Sequence, residues 1–180
     1  MTAGRGAAVE WITDRLRLRR PAGMDLPRMH EILSDARATA FWATLPHRSL
    51  EETEAFLNGM IEGALPVAEE FVVEHEGDVI GKVGLWRFPE IGFIFDPGYW
   101  GRGLASEAVR PVLGRAFCVH GLAAVDADVD PRNAPSLRLL GRLGFEEVGR
   151  AERTVLIGNC WCDSVYLRLD AGRWPATGGG

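Results

Sequence analysis

Between Phe95 and Ala108 the chain passes from a strand through a glycine loop into a helix, and no other stretch of its 180 residues restricts the fold as much. Ile91, Phe93 and Phe95 alternate with other residues, the period of a strand. Asp96-Pro97-Gly98 ends that strand. From Leu104 onward apolar residues recur at helical spacing: Ala105, Ala108, Val109, Val112, Leu113, Ala116 and Phe117. Gly101 and Gly103 lie between the two. Glycine lets a backbone approach a ligand closely. The first N–H groups of a helix have no internal acceptor, and the helix dipole favours an anion beside them. The loop is therefore suited to a phosphate, although a plain strand–turn–helix connection has the same outline. The lysine-containing phosphate loop is absent, and the dinucleotide pattern begun by Gly101 and Gly103 meets Ser106 where a third glycine belongs.

The segments before the loop predict an antiparallel sheet. Residues 13–20 alternate Leu with Arg and read as a strand, ended by Pro21 and Gly23. Leucine fills one face, so Arg15, Arg17, Arg19 and Arg20 read as a solvated face rather than a nucleic-acid contact. Asp25 can cap a helix carrying Leu26, Met29, Ile32 and Leu33. Ser49 with Glu52 forms a capping box for a second helix, with Thr53, Phe56, Leu57, Met60 and Ile61 on one side and Gly63 and Pro66 closing it. Residues 71–75 and 79–86 flank Glu76-Gly77-Asp78 as a hairpin. Such a first half counts against a doubly wound dinucleotide domain.

After the loop helix, which contains Pro111 and is expected to end at Gly121, residues 123–129 read as a strand. Asp126, Asp128 and Asp130 alternate there with Val125, Ala127 and Val129, the pattern of a strand with one wet face. A short helix follows. Gly144 takes the left-handed position after it, and Phe145 can fold back on its apolar side. The tails, residues 1–11 and 171–180, read as flexible ends of one domain spanning residues 12–170.

Two motifs carry a family resemblance. The run Tyr99-Trp100-Gly101-Arg102-Gly103-Leu104-Ala105-Ser106 resembles the acetyl-CoA loop of the GNAT N-acetyltransferase superfamily, with Trp100 where glutamine or arginine is usual. Asn133-Ala134-Pro135-Ser136 with Leu143-Gly144-Phe145 resembles the segment after the fifth strand in the branch that holds the ribosomal-protein N-terminal acetyltransferases. The end of the chain, with Trp161, Asp163 and Tyr166, is similar to that branch's last strands. The resemblance implies an α/β (α+β) fold with a mixed, mainly antiparallel, splayed sheet and helices on both faces. It implies acetyl-CoA as co-substrate, and an amine acceptor that is a small molecule or a protein N-terminus.

By the same resemblance Gly101, Arg102, Gly103, Leu104, Ala105 and Ser106 hold the pyrophosphate. Ile94 and Phe95 offer backbone groups to the pantetheine amides as an added strand would. Asn133 holds the pantetheine arm or the strand opening, and Ser136 faces the thiol. Trp42 and His47 fall in the region that walls the acceptor pocket, though core packing explains Trp42 and a surface loop explains His47 as well. Acetyl transfer to an amine needs a base; Glu90 is the first candidate and Glu152 the second. The tyrosine that many relatives use to protonate the leaving thiolate is replaced by Leu140. Ser136 is then either the donor or merely a helix cap. A CoA-binding regulatory module without turnover shares the loop and is the alternative reading.

Composition narrows the partners. Twenty Lys and Arg against 25 Asp and Glu give a formal charge of −5, which argues against direct nucleic-acid binding. No apolar run approaches membrane-spanning length and residues 1–10 lack a signal core, so a cytoplasmic protein is expected, with no membrane partner, as a monomer or homodimer. Cys118, Cys160 and Cys162 make neither a disulfide framework nor a metal site, and no metal is expected.

Overall fold

The computed structural model describes residues 10–63 and 67–174. Strands β1 (Glu10–Ile12) and β2 (Leu16–Arg19) are followed by helices α1 (Leu26–Ser34) and α2 (Leu50–Glu62). Strands β3 (Glu69–His75), β4 (Asp78–Arg87) and β5 (Glu90–Phe95) lead into α3 (Leu104–Cys118). Then come β6 (Ala124–Val129), α4 (Ala134–Arg142), β7 (Glu146–Ile157) and β8 (Cys160–Asp170). The strands form one sheet in the order β1-β2-β3-β4-β5-β6-β8-β7. Every neighbouring pair is antiparallel except β5 and β6, which are parallel and registered only at Glu90 opposite Asp126. The Asp126 amide donates to the Pro89 carbonyl at 3.0 Å beside that point. Toward their C-terminal ends the two strands are no longer paired. The sheet is thus mixed, mainly antiparallel and splayed, as the sequence implied.

Period-two alternation divides the sheet's side chains between two cores. Phe71, Val73, Val83, Ile91, Phe95, Val125 and Leu167 pack with Leu104, Val109 and Leu113 of α3 and Leu139 and Leu140 of α4. On the opposite face Val72, Val79 and Ile94 pack with Met29, Ile32 and Leu33 of α1 and Leu57 and Met60 of α2. The β3–β4 turn places Glu76 and Gly77 at φ of 53° and 92°. Two left-handed residues match the twist of a tight hairpin.

Several local expectations are corrected. The first strand starts at Glu10, not after residue 11, because Trp11 packs edge-on to Phe71 at 4.7 Å between centroids. At the other end a turn of 3₁₀ helix spans Ala171–Arg173, and Trp174 lies 6.0 Å from the Phe117 ring. The remainder of both expected tails, and Pro66, lie outside the described residues. Arg15 precedes its strand, and the arginine face is paired rather than simply wet: Arg17 bonds Glu10 and Glu74, and Arg19 bonds Glu74 and Asp25. Asp25 therefore does not cap α1 with its side chain; its carboxylate accepts from Arg19 and from the Ala22 amide. Ser49 does cap α2, but Glu52 reaches back to the Arg48 amide, one residue earlier than a capping box requires. The loop helix ends at Cys118, short of Gly121, which takes a φ of 62° in the following turn.

The end of α4 is as the sequence predicts. Gly144 has φ 97°, its amide donates to the Gly141 carbonyl, and the Phe145 amide donates to that of Leu140, each at 3.1 Å. Phe145 is buried in the same core as Leu139 and Leu140. A Cβ at residue 144 would also come within 3.3 Å of Leu169. Gly144→Ala is expected to lower unfolding stability by about 1–2 kcal/mol, the cost of a left-handed alanine. Urea denaturation checks it; an unchanged midpoint would show that the left-handed turn carries no strain.

Candidate active site at the opened sheet

The separation of β5 from β6 opens a cleft of about 740 Å³. One wall is Phe93, Ile94 and Phe95 at the end of β5; the floor is the loop and first turn of α3; the far wall is α4 with Asn133 and Ser136. Of the residues singled out from the sequence, Ile94, Phe95, Gly101, Gly103, Leu104, Ala105, Ser106, Asn133, Ser136 and Trp42 all line it. Two motifs some thirty residues apart therefore converge on one space.

The loop is shaped by left-handed glycines. Gly101 and Gly103 have φ of 74° and 77°, and Gly103 is the residue from which α3 starts. The first bond of the helix runs from the Glu107 amide to the Gly103 carbonyl at 3.2 Å. The amides of Leu104, Ala105 and Ser106 precede it and have no intrahelical acceptor. Nothing lies within 4 Å of where a Cβ at Gly101 would be. Arg138 and Arg142, one turn apart on α4, also line the cleft, and among the described residues neither is paired with a carboxylate. These two were not singled out from the sequence, where they looked like ordinary surface positions of a short helix. Free amides, a favourable dipole and unpaired guanidinium groups together suit a polyphosphate.

Glu107 sits in the first turn of α3, where it could repel such an anion. The structure turns it away. Its carboxylate accepts from the Thr13 hydroxyl at 2.5 Å, the Arg15 amide at 2.9 Å and the Arg15 side chain at 2.8 Å. Burial would raise its pKa, but the bonds from Thr13 and Arg15 outweigh that and hold the carboxyl below its ordinary range. Arg15 also donates to the Arg102 carbonyl at 2.9 Å, fixing the loop from outside. Arg102 is not part of the cleft lining: its guanidinium lies over the Tyr99 ring, 5.4 Å from the centroid, and beside His75. Trp100 explains its own departure from the family pattern, since its indole N–H donates to the Phe95 carbonyl at 3.0 Å. That carbonyl is therefore already engaged.

The remaining sites divide. Asn133, not Ser136, caps α4: its side chain accepts from the Ser136 amide at 3.2 Å. Ser136 lies within the first turn and lines the cleft, so its reading as the cap is corrected. His47 is not in the cleft; it shares the Thr53 hydroxyl at 2.9 Å, stacks edge-on to Phe56, and burial lowers its pKa. Glu90 lies beside the point where β5 meets β6 and accepts from Trp86 and Arg87 at 3.2 and 2.8 Å. Glu152 is exposed on β7, away from the cleft lining.

Residues 15–146 match the family model described as Acetyltransferase (GNAT) domain. The chain belongs to the GNAT acetyltransferase family. It is 28% identical over 171 residues to the uncharacterized N-acetyltransferase YnaD of Bacillus subtilis (strain 168), covering 90% of this chain and 97% of that one. It is 27% identical over 149 residues to the spermidine N(1)-acetyltransferase of Escherichia coli (strain K12), covering 79% of each. The crystal structure of a GNAT-family acetyltransferase from Bacillus anthracis superposes with a TM-score of 0.79 at 26% identity, over 91% of this chain and 99% of that one. The GNAT fold and acetyltransferase activity implied by the sequence resemblance thus hold.

The capping assignment separates two substitutions in this acetyltransferase. Asn133→Ala is expected to cost about 1 kcal/mol of stability through the lost cap. Ser136→Ala, three residues on, should leave the melting temperature nearly unchanged. Thermal unfolding of both variants checks this; equal destabilisation would mean that Ser136 shares the cap.

Proposed function

We propose that this enzyme transfers acetyl from acetyl-CoA to a primary amine, the amine attacking the thioester directly. The observation that carries the reading is the convergence of the free α3 amides and the unpaired end of β5 on one cleft. Acetyl-CoA supplies the activated acyl group and a thiol leaving group. The amides of Leu104, Ala105 and Ser106, with Arg138 and Arg142, would hold its phosphates. The edge of β5 near Ile94 would take the pantetheine amides in the manner of a further strand. Asn133 would keep β6 and α4 apart from β5 at the mouth, and the Ser136 hydroxyl is available to donate to the departing thiolate. Trp42 and the neighbouring Phe41 border the cleft on the side of α1 and α2 and would face the acceptor.

The acceptor belongs to the primary amines as a class, whether a small molecule or a protein N-terminus. The spermidine acetyltransferase similarity favours including polyamines in any test set. No helix among the described residues is long and apolar enough to cross a membrane. A cytoplasmic site of action goes with an acetyl-CoA substrate.

The test is thiol release from acetyl-CoA over a panel of polyamines, amino acids and peptides with free N-termini. Turnover with at least one class is expected. Tight acetyl-CoA binding with no thiol release from any amine would instead support a regulatory CoA-binding module. Gly103→Val is expected to weaken acetyl-CoA binding at least tenfold, measured by calorimetry. A Cβ there meets only Arg15, 3.6 Å away, so the sheet should survive, while the left-handed φ becomes strained. Unchanged affinity in a folded variant would remove the loop from the binding site.

A further inference from the structure

The face of the sheet that carries α1 and α2 bears a row of carboxylates around the splay, and nearly all are matched by a cation. Glu70 pairs with Lys82, Glu90 with Arg87, Asp126 with Arg168 at 2.7 Å, and Asp130 with Arg132 at 2.5 Å. Asp128 is the exception: among the described residues no Lys, Arg or His pairs with it. On the neighbouring strand β8 it is registered opposite Tyr166, and Ser164 lies two residues along on the same face. Ser164 is buried and shares a 2.6 Å hydrogen bond with Thr154, which fixes the hydroxyl nearest Asp128 on β8.

The place of Asp128 follows from the strand register. β5 and β6 part after Glu90 and Asp126. Asp128 is the next residue of β6 on that face, between the last pairing point and Asn133 at the cleft wall. Ala127 and Val129 face the α3 core, so Asp128 faces the side of Trp42. Across the opening, two residues beyond Glu90, stands Gly92, which has no side chain; a Cβ there would be 3.4 Å from the Trp86 ring and 4.0 Å from the Lys82 ammonium, itself paired with Glu70. Asp128 lies outside the cleft lining itself, an exposed carboxylate without a counter-ion on the strand across from the edge assigned to the acyl donor.

We propose that Asp128 is the proton acceptor for the acceptor amine. This rests on the acetyltransferase reading above. The amine arrives as an ammonium, which the unpaired carboxylate attracts. One N–H bond breaks and its proton passes to Asp128; the freed electron pair of nitrogen attacks the thioester carbon. The C–S bond then breaks, its electron pair leaving on sulfur. The second proton shed by nitrogen goes to that thiolate, directly or through Ser136. Products are the N-acetyl amine, CoA thiol, and one proton that Asp128 returns to solvent.

The surroundings suit the role. Although Asp128 is exposed, desolvation on the side packed against the sheet and the negative charge of Glu90 push its pKa up, while Ser164 pulls it down. A raised pKa makes a carboxylate a better base near neutrality. The other ionisable groups on this face are the Glu90–Arg87 pair, the Glu70–Lys82 pair on β3 and β4, the Asp126–Arg168 and Asp130–Arg132 pairs, and Tyr166, registered directly opposite Asp128 on β8.

The experiment compares wild type, Asp128→Asn and Ser164→Ala with whichever amine the wild type accepts. Asp128→Asn should lower kcat by about 100-fold or more, within the span of a lost acid–base group. Its KM for acetyl-CoA should stay within about twofold of wild type. In wild type the rate should fall as pH drops through the Asp128 pKa, because the protonated acid cannot accept. Ser164→Ala removes the neighbouring hydroxyl that pulls this pKa down, so the acid limb should move to higher pH. That shift is a readout which a merely structural serine would not give, and it keeps the proposal falsifiable if Asp128→Asn does not fold. Wild-type turnover matched by Asp128→Asn, or an acid limb unmoved in Ser164→Ala, overturns the assignment alone. Absence of turnover with every amine overturns the acetyltransferase reading and this assignment with it.

Discussion

The structure depends on the place where β5 and β6 stop being a sheet. Parallel strands hold together through evenly spaced slanted bonds, and here that ladder has one registered pair. Everything C-terminal to it must satisfy its backbone by other means. On β5 the partner on one side is β4, and Trp100 takes the Phe95 carbonyl from above. On β6 the partner is β8. The free edges are left facing each other across a cleft. An unpaired edge inside a domain is ordinarily a liability. In this chain it suits binding, because a ligand with amides of its own could complete what the strands omit.

Electrostatics around the opening are arranged by sign. Donors gather on one side: the first-turn amides of α3 and the two arginines of α4. The carboxylate that would interfere, Glu107, is drawn outward by Thr13 and Arg15. On the other side carboxylates predominate, most of them neutralised locally. The separation puts donors and carboxylates on opposite faces of the same split, an arrangement that suits the proposed transfer between a polyphosphate thioester and a cationic acceptor.

The two motifs, the hairpin, the helical periods and the left-handed end of α4 were legible in the sequence because each is a local pattern. The glycine loop and Asn133 carried enough information to place most of the cleft. What could not be read were the contacts between distant segments. His47 looked like an acceptor-pocket residue by its position, but its ring is tied to Thr53 inside the α1–α2 layer. Asp25 looked like a cap until Arg19 claimed it. Ser136 stood as a possible cap only if α4 began there; the helix begins at Ala134, so Asn133 takes that place. Asp128 appeared as one of three alternating aspartates on a wet strand; only pairing of the other two with arginines distinguishes it. Arg138 and Arg142 gave no signal beyond their spacing.

Helix α3 is secured at both ends by the outermost described parts of the chain. Near its start, Glu107 is bound by Thr13 and Arg15 in the turn between β1 and β2. Near its finish, Phe117 lies against Trp174, just past the last strand, and the Ala171 amide holds to the Ala123 carbonyl at 2.9 Å. The ligand loop is thus strung between two anchors far apart in sequence, neither of which touches the cleft. Trimming residues 10–15, or those after Asp170, would slacken the anion-holding loop before it disturbed the centre of the sheet. A domain boundary drawn at residue 170 would keep the first mooring and cut away the second.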